Sequence, residues 1–393
     1  MLKLLFQDAR DRLNGNNARA NARLGLVRPP EGTGKIVWLV ADETYDSVLI
    51  STTLLAAIRE KRKDVRLVLT YQTEYQDLII KHMSGLSKIG FGFGCGDSHF
   101  AIKQMLKRLT PFAIIFIGHS PSKTMMKALR NTPEIHKIAF QTGTESIGDG
   151  SDDFFEACYP HSLSAATKTN SRSVDSDAVI SKPFNVLTRL VQSQIDKQLG
   201  SMLCGESKNA LFHVHNIDKN KLRDFLTNWK SSELSQNSLL AFSFSKIDST
   251  TLLSVQKSVK KLGLSPVLLS KWNQKPLTKN EIIIADEDKW FAAICASSAE
   301  SHLFNTTAFH LWQAISSGSV ITLDKDVKNK PSGFDTVISN VEFTHDLIST
   351  WKSHLNNPAL ARKITDQTRQ LFWSERREAE MQVDTFLQRV YDW

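Results

Sequence analysis

Short apolar runs separated by helical patterns constrain this chain more than any other feature. "GKIVWLVA" (34–41), "VRLVLTY" (65–71), "FAIIFIG" (112–118) and "HKIAFQTG" (136–143) are strand-length, and most are nearly free of the polar alternation of a half-exposed strand. Between them lie segments with apolar residues near helical spacing: "SVLISTTLLAAIREKRKD", "EYQDLIIKHMSGL" and "HFAIKQMLKRLTP". A strand buried on both faces needs helices on both faces, so this order predicts a doubly wound parallel sheet. A second series follows after residue 185, with strands over 209–216, 238–245, "SPVLLS" and 280–287, and helices between them.

Length then sets the domain count. At 393 residues the chain exceeds one ordinary hydrophobic core, so two α/β domains are expected. The division reads as 1–180, 181–370 and a C-terminal helix, 371–393, bracing the first domain. The polar stretch 147–185 reads as an irregular excursion toward the interdomain crossing.

Several function classes fall away. No run of about 18 apolar residues exists, so no membrane-spanning helix is expected. The start of the chain lacks a signal-peptide pattern, and four scattered cysteines without CxxC spacing point to free thiols in a cytoplasmic setting. The net charge of +8 is spread out, with no basic stripe interleaved with aromatics, so nucleic acid is not expected as a partner. Part of that charge lies in Lys3, Arg10, Arg12, Arg19, Arg23 and Arg28, which suits peripheral contact with anionic lipid at the inner membrane. The glycines of "GFGFGCGD" (90–97) miss the Gly-x-Gly-x-x-Gly spacing and read as a turning loop, which argues against a nicotinamide enzyme.

Ligands of such sheets sit beyond the carboxyl ends of the strands, and candidate residues are sought there. After the first strand, Asp42, Glu43 and Asp46 read first as helix caps, and otherwise as a general base facing the cleft. After the strand 112–118, His119, Ser120, Ser122 and Lys123 suit a phosphate or an acceptor hydroxyl, or simply a turn. His213 and His215 share one face of a strand, but no third ligand follows, so no metal site is expected. "TAFHLWQAISSGSVI" (307–321) reads as a helix stopped by Gly318 before another strand. Its approach, Asn305, Thr306 and Thr307, is a ready anion site or an ordinary cap, and His310 and Gln313 stand one turn apart.

The same stretch resembles the donor-site helix of GT-B glycosyltransferases, with Gln313-Ala314, a three-residue spacer and Gly318 where that fold has a ribose-binding glutamate. More of the chain is similar to bacterial Kdo (3-deoxy-D-manno-octulosonic acid) transferases. "ARLGLVRPPEGTGKIVWLVA", "RKDVRLVLTYQTEY" with Thr70 and Thr73, "GDSHFAIKQMLKRLTPFAIIFIG" with Asp97, and "NEIIIADEDKWFAAICASS" with Asp286 carry the likeness. The chain resembles a divergent paralogue. Asp46 stands where that family has its glutamate, Gly118–Lys123 replace Glu-Thr-Glu-Leu-Trp-Pro, Ser243–Lys246 replace Pro-Arg-His-Pro, and "ESHLFNTTAFHLWQ" (300–313) replaces its glycine-rich donor loop.

The resemblance implies a GT-B fold, two Rossmann-like domains facing a cleft, and transfer of a sugar, Kdo-like or other, to a cell-envelope glycan or glycolipid. The donor, a nucleotide-sugar such as a CMP-sugar, is a substrate, and neither cofactor nor metal is implied. Donor binding falls to Asn305, Thr306, Thr307, His310, Gln313, Ser243, Ser245 and Lys246, with His215 beside them. Asp46, or Glu43 after it, takes the acceptor proton, and His119, Ser120 and Lys123 meet the acceptor. The other expectation is a catalytically inactive paralogue that serves as a binding or assembly subunit.

Overall fold

The computed structural model describes residues 2–118, 121–140, 154–159, 185–192, 198–205, 210–245, 248–325, 327, 339–341 and 345–392. The chain divides into two compact units, Met1–Val186 with Glu378–Trp393, and Leu187–Arg377. Each is an α/β unit around one parallel sheet.

The first unit holds β1 (Ile36–Ala41), β2 (Arg66–Tyr71), β3 (Ile89–Phe93), β4 (Pro111–Ile117), β5 (His136–Phe140) and β6 (Ala157–Tyr159). Their order is β3-β2-β1-β4-β5-β6, and every pairing is parallel. All six residues of β1 are buried, as its unbroken apolar run requires. On one face Ile36, Trp38 and Val40 pack with Ile102, Met105 and Leu109 of the helix His99–Leu109. The end of the long helix Pro358–Asp392 belongs to this unit: Phe386 meets Phe140 and Tyr159 edge-on, and Arg62 donates to the carbonyls of Val390 and Tyr391.

The second unit holds β7 (Ala210–His215), β8 (Ser238–Ser243), β9 (Ser265–Leu268), β10 (Glu281–Ala285), β11 (Glu300–Leu303), β12 (Val320–Asp324) and β13 (Ser339–Val341). The order is β13-β12-β11-β7-β8-β10-β9, again all parallel. Alternation along β7 sends Phe212 and Val214 to one core, with Trp229, Phe242 and Trp351, and Leu211 to the other, with Leu239, Ile283 and Ile294. Phe212 stacks on Trp351 at 4.7 Å.

Three expectations need correction. The glycine run is not simply a loop: Ile89–Phe93 is the edge strand β3, and Gly90 sits against Pro30, where a Cβ would meet the ring at 3.3 Å. The stretch 147–185 is not wholly irregular, because Ala157–Tyr159 pair with β5. Glu300–Leu303, read as part of a donor-site loop, is the buried strand β11 between β7 and β12. Among the described residues no helix is long and apolar enough to cross a membrane.

Candidate functional site

A doubly wound sheet opens a crevice where the strand order reverses, beyond the carboxyl ends of the strands on either side. In the second unit the chain runs outward from β7 through β8 to β10 and β9, then returns to the far side of β7 as β11. The reversal therefore lies between β7 and β11, and Asn216 is the residue that holds it. Its backbone is left-handed (φ 55°), a conformation asparagine tolerates better than most side chains. Its N–H donates to the Ser243 carbonyl at 2.9 Å, and its side-chain oxygen accepts from the Ser245 N–H at 2.8 Å. Its amide nitrogen donates to Ser245 Oγ at 2.8 Å and to the Asn305 carbonyl at 3.0 Å. One side chain thus joins the turns after β7, β8 and β11. Asn216 ends the apolar run 209–216, and an asparagine directly after a buried strand is a local signal for a left-handed turn.

Below this edge runs a chain of buried polar groups. His215 Nε2 meets Ser245 Oγ at 3.1 Å, and His215 Nδ1 meets Ser243 Oγ at 2.7 Å. Ser243 Oγ also meets His213 Nε2 at 2.7 Å, and His213 Nδ1 meets Ser301 Oγ at 3.2 Å. The Asn216 amide donates to Ser245 Oγ at the exposed end, and each neutral ring donates at one nitrogen and accepts at the other, so the chain is continuous from Ser245 through Ser243 to Ser301. Burial lowers the His213 pKa to about 3, and burial with the neighbouring His310 and His213 holds His215 well below its ordinary value. Both rings are neutral at physiological pH, and every ring nitrogen is engaged. His215 and Ser243, expected at the donor, lie beneath the surface and act on it only through Ser245 and Asn216. Among the described residues no group of three or more metal-ligating side chains forms.

The helix Ala308–Ser316 starts beside this edge. Its cap is Thr307, whose Oγ1 accepts from the His310 N–H at 3.1 Å. The same hydroxyl pairs with His310 Nδ1 at 2.8 Å, and His310 Nε2 pairs with Asp288 Oδ1 at 2.8 Å. His310 is 2% exposed, its ring packed against Phe291 at 4.8 Å and His215 at 5.3 Å. The expected neighbouring faces of His310 and Gln313 therefore separate: His310 turns inward with Trp312 and Ile315, while Gln313 stays half-buried. Asn305 is exposed and Thr306 half-buried at the mouth. Gly318 ends the helix with φ +80°, as its position suggests. Lys246 lies outside the described residues.

In the first unit the order reverses between β1 and β4. Asp42 N–H donates to the Ile117 carbonyl at 3.2 Å, and Asp42 Oδ1 accepts from Thr44 N–H and Thr44 Oγ1, each at 2.6 Å, and from Ser47 Oγ. Gly118 follows β4 with φ +88°, and a Cβ there would lie 2.1 Å from Ser47 Oγ and 2.3 Å from Asp42 Oδ2. Asp46 is half-buried in the first turn of the helix Tyr45–Lys61, and Glu43 is exposed, its carbonyl accepting from Tyr75 Oη at 3.1 Å. The structure thus singles out Asp42 as the residue that orders this turn. Lys123 is the exposed first residue of the helix Lys123–Arg130, capped by Ser122, while His119 and Ser120 lie outside the described residues.

No protein-family model and no curated protein matches the sequence. Solved structures do match. A Neisseria meningitidis UDP-GlcNAc 2-epimerase bound to UDP-GlcNAc superposes with a TM-score of 0.59 at 10% identity, over 90% of this chain and 100% of that one. A Rickettsia africae glycosyltransferase gives 0.57 at 11% identity, over 92% and 98%. Anabaena HepE in complex with UDP and glucose gives 0.50 at 9% identity, over 90% and 100%. The likeness is one of fold, and the chain has the α/β fold of the GT-B type.

Proposed function

We propose that this chain acts on a nucleotide-sugar, as a glycosyltransferase. The observation that carries the reading is the convergence at the β7/β11 reversal, where Asn216 ties Ser245 and Asn305 together beside the capped start of the helix Ala308–Ser316. The dipole of a helix start favours a phosphate there. The reading is supported by fold neighbours that hold UDP-GlcNAc, or UDP and glucose.

In this reading the phosphates rest on Asn305, Thr306 and Thr307, and the ribose lies toward Gln313. Lys246 offsets the leaving phosphate's charge. A helix start and a lysine stabilise that charge without a metal or cofactor. Asp42 fixes the turn that presents Asp46, which takes the acceptor proton, with Glu43 as the alternative base. The Kdo-transferase likeness makes a CMP-sugar the first donor to try and an envelope glycan or glycolipid the acceptor class.

Peripheral membrane contact belongs to the same proposal. The helix Leu2–Leu13 leaves Phe6 74% and Leu13 87% exposed, with Arg10 and Arg12 in its last turn. Apolar side chains beside arginines suit an anionic lipid surface. Sedimentation with phosphatidylglycerol vesicles, lost at high salt and in Phe6→Ser, is the expected behaviour.

A second reading, a binding subunit without turnover, is favoured by Gln313. A neutral amide accepts ribose hydroxyls less strongly than a carboxylate. Thermal-shift measurements with CMP-, UDP- and GDP-sugars test both readings, comparing wild type with Gln313→Ala and Thr306→Ala. A shift with one nucleotide class, weakened by both substitutions and accompanied by release of the nucleotide product, supports the transferase. A shift without product release supports the binding subunit. No shift with any nucleotide, in folded protein, overturns both.

A further inference from the structure

A cavity of about 120 Å³ opens in the first unit, toward the carboxyl ends of β1, β2 and β4, and of the residues weighed above for a phosphate or an acceptor hydroxyl only Ser122 lines it. Its floor is apolar: Trp38, Phe116 and Met125 are each less than a tenth exposed. The indole N–H of Trp38 is spent on Thr70 Oγ1 at 2.9 Å, so the ring lines the cavity without an unmet donor. The mouth is polar, formed by Gln72, Asp97 and Ser122. An engineered apolar cavity of roughly 150 Å³ takes up benzene, so this smaller one, open at its mouth, seats the face of one six-membered ring and leaves the ring's substituents at the rim.

The mouth has a definite hydrogen-bonding character. Ser122 Oγ donates to Asp97 Oδ1 at 2.6 Å and accepts from the Met125 N–H at 3.1 Å. The serine's one donor is therefore used, and it holds the Asp97 carboxylate at the cavity mouth with acceptor capacity to spare. Gln72 adds an amide, held close by Gly94, where a Cβ would come within 2.8 Å of Gln72 Nε2. A carboxylate at the mouth selects against phosphate and carboxylate ligands and in favour of hydroxyl donors. An apolar floor under an acceptor-rich rim matches one kind of molecule closely: a neutral pyranose, with hydroxyls around its edge and C–H groups on its face.

We infer that this cavity binds one neutral, hydroxyl-bearing sugar ring of the acceptor, with a ring hydroxyl donating to Asp97 and another accepting from Gln72. The inference rests on the glycosyltransferase reading for its assignment to the acceptor. The ring binding itself stands on the cavity.

The test is ligand-observed saturation-transfer NMR on the full chain. The probes are methyl pyranosides of glucose, galactose and mannose, with methyl glucuronoside as the anionic control, each with and without UDP and CMP. Asp97→Asn, Asp97→Ala and Gln72→Ala all sit at exposed positions, and circular dichroism checks that each is folded. The expected result is that at least one neutral pyranoside binds without nucleotide and more tightly than the glucuronoside. Asp97→Asn and Asp97→Ala should weaken it about tenfold, and Gln72→Ala less, while any nucleotide thermal shift stays unchanged. Pyranoside binding unaffected by the Asp97 variants, or preference for the glucuronoside, overturns the inference. Binding only when nucleotide is present assigns the ring to the donor and overturns the acceptor assignment. A nucleotide shift with no pyranoside binding overturns the cavity proposal and leaves the function standing. Asp97-dependent pyranoside binding without any nucleotide shift upholds the cavity and removes the transferase reading.

Discussion

The side-chain amide of Asn216 donates to the main-chain carbonyl of Asn305 over 3.0 Å, across 89 residues of sequence. That single contact brings the end of β7 to the approach of the helix Ala308–Ser316, and it makes Asn216 the most informative residue to change.

Asn216→Ala is expected to cost about 2–3 kcal/mol, because it strands the Ser245 N–H and forces a methyl-bearing residue into left-handed backbone. Asn216→Gly should lose about 1 kcal/mol less, since glycine adopts that backbone freely. Urea unfolding of the three proteins measures both. Equal losses for Ala and Gly would show that the backbone conformation contributes nothing.

Acid should unfold this protein through its buried histidines. His213 and His302 each have a folded pKa near 3, against an ordinary value of 6.5, chiefly because burial disfavours the charged ring. A depressed histidine stabilises fully above pH 6.5. Its contribution falls as pH drops toward 3, because the unfolded chain binds protons that the folded one refuses. Each histidine contributes a slope approaching ~1.4 kcal/mol per pH unit below 6. Between pH 6 and 5, His213→Gln should lose about 1 kcal/mol less stability than wild type. Urea midpoints at the two values decide it, and identical slopes would remove His213 as a source.

Gly118 and Gly15 form a matched pair. Both have positive φ, but a Cβ at Gly15 meets nothing within 4 Å, whereas one at Gly118 would collide with Ser47 Oγ and Asp42 Oδ2. Gly15→Ala should cost about 1 kcal/mol, for backbone strain alone. Gly118→Ala should cost at least about 3 kcal/mol and break the hydroxyl bonds to Asp42. Melting temperatures of the two variants test this, and a milder Gly118→Ala would mean that the Asp42 turn yields easily.

Arg62 holds the end of the long C-terminal helix, with Nη1 on the Val390 carbonyl at 2.8 Å and Nη2 on Asp64 Oδ2 at 2.8 Å. Arg62→Ala should speed amide exchange in the last turns of that helix several-fold, for a stability loss of about 1–2 kcal/mol. Arg62→Lys should not restore protection, because an ammonium lacks the fork that reaches both partners. Hydrogen exchange over 386–392 gives the answer.

What could be read from the chain and what could not divide along a physical line. β1, β2, β4, β7, β8 and β10 lie within a residue or two of their apolar runs, since burial on both faces writes itself into consecutive side chains. Among the helix caps Thr307 was legible, bonding the N–H three residues on; Ser98 and Ser122 do the same without having been singled out as caps, and the helix Tyr45–Lys61 is capped by Thr44 rather than by the acidic residues around it. β11 was not. Its "Glu-Ser-His-Leu" looks like a surface loop, yet all four residues are buried. The reason is that their partners are remote: Glu300 pairs with His354, Ser301 with His213 and His302 with Thr322.

The candidate site follows the same rule. Asn305, Thr306 and Thr307 lie at a helix start that the sequence marks, because a helix start is a local feature. The inward turn of His310 and the roles of Asn216 and Asp42 depend on strands brought side by side by the fold. By itself the sequence determined the alternation of strands and helices, the helix start at Thr307 and the stopping glycine Gly318, since hydrophobic periodicity and backbone preference act over a few residues. Only the tertiary structure decided which buried polar groups are satisfied and by whom. A hydrogen-bond partner is chosen by strand order, and strand order is a property of the whole sheet.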